Sequence, residues 1–106
     1  MTRIYHVALA RDWEAACAGG QYAVSTLGRT LAEEGFIHAS RADQWEAVRQ
    51  RFYAGVAEPL VLLVIDPSRL TAVVRDEPVP GLEETFPHVY GPIDLEAVVD
   101  VVPLGD

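Results

Sequence analysis

All three histidines of the chain lie in short apolar stretches, where an imidazole can perform acid–base chemistry or hold a ligand. His6 stands in IYHVAL, His38 in GFIHAS and His88 in FPHVYG. Histidine is not among the residue types that are preferentially buried, so three occurrences in such stretches are unusual. A neutral imidazole hydrogen-bonded within the core explains each one alone, whereas the three together predict a site. His6, His38 and His88 are therefore the candidate catalytic residues.

A zinc centre built from the three histidines is one alternative. Catalytic zinc often binds three imidazoles and a water molecule, which would make the protein a small metal-dependent hydrolase. The spacing is unfavourable, because the sequence has no HxH or HExxH pair that would supply two ligands from one element. No metal is therefore expected.

The other nucleophiles have simpler explanations. Ser40 lacks the GxSxG turn of a serine hydrolase, and with Asp43 three residues later it has the form of a helix-capping box. Cys17 is the only cysteine and lies in an Ala/Trp-rich helical pattern without a nearby Lys or His. It is therefore expected to be an inert packed thiol.

Composition limits the function classes. A chain of 106 residues is expected to form a single domain over residues 1–106. Its net charge of -8 argues against a nucleic-acid surface, because binding there depends on Lys and Arg displacing counterions. A small nucleotide held in a pocket remains compatible with this charge. The charge predicts neither oligomeric state nor pathway.

The N-terminus and the hydrophobic runs bear on localisation. The opening MTRIYHVALARDWE meets charge and histidine too early for a signal peptide. The longest aliphatic run, residues 60–65, is about a third of the ~20 residues that a membrane span needs. These features predict a cytoplasmic protein without membrane association.

Hydrophobic periodicity predicts an α+β domain with a mostly β core. The predicted strands are residues 4–9, 36–39, 60–66, 71–75, 88–90 and 98–103. Helices are predicted over 13–18, capped by Asp12, and over 42–53. Residues 22–34 are predicted to be loop with some helical turn, and residues 76–87 a long loop rich in proline. Long loops in compact domains often carry function.

The predicted strand at 36–39 raises a question about His38. Side chains alternate between the two faces of a strand, so Phe36, His38 and Ser40 share one face and Ile37 points to the other. His38 is then either a satisfied core group or part of a cleft wall. The FPHVYGPI stretch is similarly rigid, because two prolines and a glycine would present its histidine and tyrosine at fixed angles.

The three blocks IYHV, GFIHAS and FPHVYGPI resemble the signature of a bacterial group, domain-of-unknown-function family 952. The resemblance covers nearly the whole chain, and the blocks fall in order. It implies no established activity.

Residues 36–66 are also similar, more distantly, to a segment of RNA 2′-phosphotransferases. In those enzymes a strand ending in His-x-Ser leads into a helix and then an aliphatic strand that ends in an acidic residue. They belong to the ADP-ribosyltransferase superfamily, which binds NAD or a related ADP-ribose in the cleft of a split β fold. The resemblance implies such a split β core here.

The superfamily resemblance also implies roles for individual residues. His6 would match the first-strand histidine that holds the adenosine ribose or the nicotinamide amide. His38 would match the residue that packs on the nicotinamide ring, and Ser40 the serine that follows it. A third position usually holds the reacting ribose with a glutamate. Its candidates are Glu77, Glu84 and His88.

The function implied is an ADP-ribosyltransferase-like activity with NAD as substrate and an unknown acceptor. Cleavage of a nicotinamide–ribose bond passes through an oxocarbenium-like state and depends mainly on orientation. Aromatic rings are available to orient the nucleotide, with Tyr5 and Tyr90 expected in the binding site. The rings available as platforms are Tyr5, Tyr22, Phe36 and Tyr90. The rival is a non-catalytic nucleotide or metabolite sensor on the same fold.

Overall fold

The computed structural model describes residues 2–26 and 29–104, which form an α+β fold of ten strands and three helices. The strands are β1 Ile4–Leu9, β2 Gln21–Tyr22, β3 Val24–Thr26, β4 Arg29–Thr30, β5 Ile37–His38, β6 Leu60–Ile65, β7 Val73–Pro78, β8 Thr85–Tyr90, β9 Ile93–Asp94 and β10 Val98–Pro103. The helices are α1 Ala10–Gly19, α2 Leu31–Glu34 and α3 Trp45–Phe52. In the described part of the chain, no helix combines the length and apolarity that a membrane crossing requires.

The first sheet has the order β1-β6-β10 and is antiparallel throughout. The central strand β6 is the aliphatic run LVLLVI, and its register with β1 pairs Ile4 with Ile65 and Leu9 with Leu60. Leu63 and Ile65 are 0% exposed. The prediction of a central strand covered on both faces is confirmed, since only an apolar run can occupy such a position.

The second sheet has the order β5-β8-β7 and is also antiparallel. Ile37 pairs with Val89, and His38 pairs with His88, which in turn pairs with Arg75 on β7. Directly paired residues project from the same face of a sheet. Ile37 and Val89 therefore enter the core, where both are 0% exposed, and the two histidines lie on the opposite face.

The two sheets meet at an isolated antiparallel bridge between Tyr5 and Ser40. The Tyr5 amide donates to the Ser40 carbonyl at 2.8 Å, and the Ser40 amide donates to the Tyr5 carbonyl at 2.7 Å. Two short sheets, β2 with β9 and β3 with β4, complete the architecture. The bridge places the first strand directly beside the GFIHAS segment.

The first helix begins earlier than residue 13 and is not capped by Asp12. It starts at Ala10, its N-cap is Leu9, and no side chain makes a capping hydrogen bond. Asp12 lies inside the first turn, where a carboxylate still favours the helix dipole. The predicted stop is confirmed, because Gly20 ends the helix with a φ of 98°, which a glycine adopts at no steric cost.

The predicted capping box at Ser40 is wrong. The third helix begins at Trp45 rather than near residue 42, and Ser40 lies in the bridge to Tyr5. Gln44 stabilises the turn before the helix instead: its Oε1 accepts from the Arg41 amide at 2.9 Å, and its Nε2 donates to the Thr85 carbonyl at 3.0 Å. Long-range backbone pairing of Ser40 with Tyr5 therefore overrides the local capping signal.

Both predicted loops contain regular structure. The described part of residues 22–34 contains strands β3 and β4, which were not predicted, and helix α2, which agrees with the predicted helical turn and begins at a capping box of Thr30 and Glu33. Residues 76–87 contribute to β7 and β8, so that only 79–84 connect them. Their prolines suggested a loop, but Pro78 ends an edge strand, and the Pro87 carbonyl still accepts a hydrogen bond from the Ala39 amide at 3.0 Å.

Gly91 in FPHVYGPI allows a close approach of two segments. A Cβ added at this position would lie 2.8 Å from the Cβ of Ala72, a short side chain that cannot rotate away. We expect Gly91→Ala to lower the free energy of unfolding by about 1–3 kcal/mol, the usual cost of overpacking. Urea denaturation measures it. Gly55→Ala is the matched control, because a Cβ there meets no atom within 4 Å; equal losses in both variants would contradict the steric explanation.

Candidate functional site

A pocket of about 230 Å³ opens where the two sheets meet. Strand β1, the GFIHAS segment, strand β3, helix α3 and the 79–86 region all contribute to its wall. The lining residues are Tyr5, His6, Val7, Ser25, Thr26, His38, Ala39, Ser40, Val48, Phe52, Tyr53, Val79, Leu82 and Phe86. A largely apolar concavity with a few convergent polar groups is the usual form of a small-molecule site.

His6 is buried, at 3% exposure, and both of its ring nitrogens are engaged. Nδ1 contacts the carbonyl oxygen of His38, which can only accept, so Nδ1 carries the proton. Nε2 then accepts from the Tyr22 hydroxyl at 3.1 Å. Burial lowers the pKa of His6 to about 4, and the bond to the His38 carbonyl opposes this only in part. His6 is thus a neutral group that holds the backbone of the segment carrying His38.

Two further buried groups fix the same region. Tyr22 is 1% exposed, and burial raises the pKa of its phenol, so the hydroxyl remains a donor to His6. Ser25 is 0% exposed and donates its hydroxyl to the Phe36 carbonyl. Tyr22 therefore belongs to the core and not to the set of rings available for stacking on a ligand.

His38 is the imidazole that the pocket presents to solvent, with its side chain 33% exposed. Its Nε2 lies 3.5 Å from Oε1 of Glu34. The other carboxylate oxygen of Glu34, Oε2, lies 2.6 Å from Nη2 of Arg29. Burial and then the nearby His88 lower the pKa of His38, while the contact with Glu34 raises it. The contact of Glu34 with His38 was not predicted, because it depends on the position of helix α2 beside strand β5 and not only on the predicted helical turn.

His88 lies behind this wall and does not line the pocket. It is 2% exposed, and its Nδ1 lies 2.9 Å from Oε1 of Glu77. The Tyr90 hydroxyl donates to the same oxygen. The bonds from Tyr90 and then from His88 lower the pKa of Glu77, so this carboxylate stays ionised. The ring of Phe36 stacks on His88 with 4.1 Å between centres.

The structure brings some of the predicted site residues together and separates others. Tyr5, His6, His38 and Ser40 all line the pocket, whereas His88 and Tyr90 lie outside it. Of the acidic candidates for the third position, Glu77 contacts His88 and Tyr90, whereas Glu84 is exposed in the 79–84 connection.

A three-histidine metal centre is not formed in the described part of the chain. Within residues 2–26 and 29–104, no group of three or more His, Cys, Asp or Glu side chains is placed to hold a metal ion. Both nitrogens of His6 are engaged, and Nδ1 of His88 faces Glu77. The metal-dependent hydrolase therefore has no centre among these residues.

Comparison with known proteins identifies relatives of unknown function. The family described as "Protein of unknown function (DUF952)" matches residues 7–101. The crystal structure of protein CC0527 from Caulobacter crescentus is 30% identical with a TM-score of 0.83, covering 98% of this chain and 87% of that chain. Its solution NMR structure gives 30% identity and a TM-score of 0.75, with 96% and 84% covered. No curated protein matches. The chain belongs to the family of unknown function DUF952.

Proposed function

We propose that the pocket binds the nicotinamide–ribose end of NAD, or of a related ADP-ribose nucleotide, and that the protein is an ADP-ribosyltransferase-like enzyme of unknown acceptor. The proposal rests on one observation: Tyr5, His38 and Ser40 all line the same pocket between the two sheets. The superfamily resemblance expects nucleotide contacts at His38 and Ser40, and Tyr5 is one of the aromatic rings available to orient the nucleotide.

The size and lining of the pocket support a ligand of this kind. Drug-sized ligands occupy roughly 300–1,000 Å³, so a cavity of about 230 Å³ suits one ring and its ribose better than a whole dinucleotide. Apolar side chains such as Val48 and Leu82 would contact the faces of a planar ring. The hydroxyls of Tyr5, Ser40 and Thr26 offer partners for an amide or for ribose oxygens.

The chemistry required of the site is modest. An oxocarbenium-like state needs an oriented ligand and a nearby negative charge more than it needs a strong nucleophile. None of the lining residues carries a carboxylate. The carboxylate of Glu34 lies next to the pocket, because it contacts the lining residue His38. In this proposal His38 packs on the nicotinamide, while Glu34 supplies the nearby charge. His6 acts as a positioning residue, because its nitrogens are already engaged.

We expect NAD or ADP-ribose to raise the melting temperature of the protein by several degrees. A ligand that binds only the native state adds RT ln(1 + [L]/Kd), about 2.7 kcal/mol at a hundredfold excess over Kd. A thermal-shift titration with NAD, ADP-ribose and nicotinamide measures it. Ser40→Ala should lose the shift, whereas Tyr90→Phe, which lies outside the pocket, should retain it.

Release of free nicotinamide separates the enzyme from its rival. A non-catalytic sensor on the same fold would bind NAD and shift the melting temperature without turnover. Chromatography of NAD incubated with protein detects nicotinamide directly, with and without candidate acceptors. If folded protein shows no thermal shift with adenine nucleotides up to millimolar concentration, the protein is neither an enzyme acting on such a nucleotide nor a sensor of it.

A further inference from the structure

The pocket wall is uncharged. Asp, Glu, Lys and Arg make up 23% of the chain, yet none of them is among the described residues that line the pocket. The two lining imidazoles are neutral at about pH 7.5, because burial lowers the pKa of His6 to about 4 and also lowers the pKa of His38. An ion that enters the pocket therefore meets no lining group of opposite charge.

The basic residues next to the β-strand part of the wall are paired with carboxylates. Nη2 of Arg29 lies 2.6 Å from Oε2 of Glu34, and Nη1 of Arg41 lies 3.5 Å from Oδ1 of Asp76. Neither arginine lines the pocket. Glu34 is the charged residue in contact with a lining side chain, that of His38, so the charge nearest to this wall is negative.

The basic residues of helix α3 also lie outside the pocket. Arg49 donates to a main-chain carbonyl at 2.9 Å, and the guanidinium of Arg51 lies over the ring of Phe52, 5.6 Å from its centre. Helix α3 contributes only Val48, Phe52 and the neighbouring Tyr53 to the wall. An anion inside the pocket would therefore have no cation from the helical side either.

The polar groups that the wall does offer suit an uncharged amide. Tyr5, Thr26 and Ser40 line the pocket, and each of their hydroxyls can donate one hydrogen bond and accept others. An amide presents N–H donors and a carbonyl acceptor, so such hydroxyls can satisfy both. Burying an ionised carboxylate or phosphate without a cation costs far more than burying a hydrogen-bonded neutral group.

We propose that this pocket selects against anions, so that it accepts an uncharged aromatic amide and rejects the same ring when it bears a carboxylate or a phosphate. In NAD the amide-bearing ring enters, and the pyrophosphate stays outside the pocket. The positive charge of that ring is of the sign that the carboxylate of Glu34 favours. The inference rests on the proposed function only for NAD as the natural source of the ring.

The test is an NMR titration of ¹⁵N-labelled protein with three ligands that share one ring: nicotinamide, methyl nicotinate and nicotinate. At about pH 7.5 the carboxylate of nicotinate is ionised, whereas the ester and the amide are neutral. We expect nicotinamide to shift the backbone amide signals of Tyr5, Ala39 and Ser40, and nicotinate to bind at least about tenfold more weakly. Methyl nicotinate should bind more tightly than nicotinate, because it lacks the charge.

Leu82→Lys tests the cause of the selectivity. Leu82 lines the pocket and is partly exposed, so the ammonium of a lysine there can reach water while its stem replaces the apolar contacts. We expect Leu82→Lys to improve the binding of nicotinate relative to nicotinamide by about tenfold, since it supplies a cation. Leu82→Met is the matched control, because its side chain is of similar length and neutral, and it should keep the wild-type preference.

Each outcome decides the inference. It is overturned if nicotinate binds the wild type as tightly as nicotinamide, if methyl nicotinate binds as weakly as nicotinate, if Leu82→Lys leaves the preference unchanged, or if none of the three ligands binds. It is supported if the neutral ligands bind preferentially and Leu82→Lys weakens that preference. Binding of NAD without this selectivity would leave the proposed function standing alone, and the selectivity without binding of NAD would leave this inference standing alone.

Discussion

Ile37→Ala is expected to lower the free energy of unfolding by about 2–5 kcal/mol, the cost of truncating a fully buried aliphatic side chain. Ile37 is 0% exposed and belongs to the core cluster that includes Leu63 and Val89. The cavity is enclosed by strands of both sheets, so we expect little relaxation. Urea denaturation followed by both fluorescence and circular dichroism measures the loss and checks that unfolding is two-state.

His38→Ala, one residue later, is the matched comparison. Its side chain points to the opposite face and is 33% exposed, so its removal should cost only about 1 kcal/mol. It should abolish the thermal shift with NAD if the proposed function is correct. Equal destabilisation by the two substitutions, with ligand binding intact in His38→Ala, would make His38 an ordinary core residue.

The second large effect is a loss of stability in mild acid, caused by His6. Burial lowers the pKa of His6 from 6.5 to about 4 in the folded protein. Between these values the unfolded chain takes up a proton that the folded protein does not, so stability falls as the pH falls from about 6.5 to about 4. At 1.36 kcal/mol per pKa unit the loss is about 3 kcal/mol. Urea denaturation at pH 7, 6, 5 and 4 measures it.

His6→Gln isolates this contribution. Glutamine can donate to the His38 carbonyl and accept from Tyr22, and it stays neutral at every pH of the series. Most of the slope between pH 6.5 and 4 should therefore disappear. His38→Gln should keep most of it, since the His38 side chain is one third exposed and contacts Glu34. A slope as steep in His6→Gln as in the wild type would show that His6 is not the responsible group.

The elements predicted best are those whose sequence signal and tertiary role agree. Strand β1 and strand β10 were predicted at their observed bounds, and β6 within one residue, because aliphatic runs and alternation reflect burial directly. The α3 start was misplaced because Ser40 carries a capping signal that is overridden by pairing with Tyr5. Residues 76–87 were misread because proline indicates a loop, whereas edge and end positions of strands tolerate it.

The candidate site was predictable in its residue types and not in its contacts. Histidines in apolar stretches pointed to His6 and His38, and the pocket contains both. No local pattern shows that Tyr5 pairs with Ser40, or that His88 lies behind His38 and not beside a ligand. These contacts depend on how strands that are distant in the sequence pair with one another. That pairing is determined by the whole fold and has no local sequence signal. The contact of Glu34 with His38 was missed for the same reason.

The bridge between Tyr5 and Ser40 has a consequence for cooperativity. Its backbone hydrogen bonds join one sheet to the other beside the bond from His6 to the His38 carbonyl, and the pocket wall is drawn from both sheets. Neither sheet alone contains a complete binding surface, so a partly unfolded form that retains only one of them cannot hold the ligand. Small proteins often open in separate cooperative units of unequal stability. A molecule bound to both sheets would make them open together, because unfolding of either sheet would require release of the molecule.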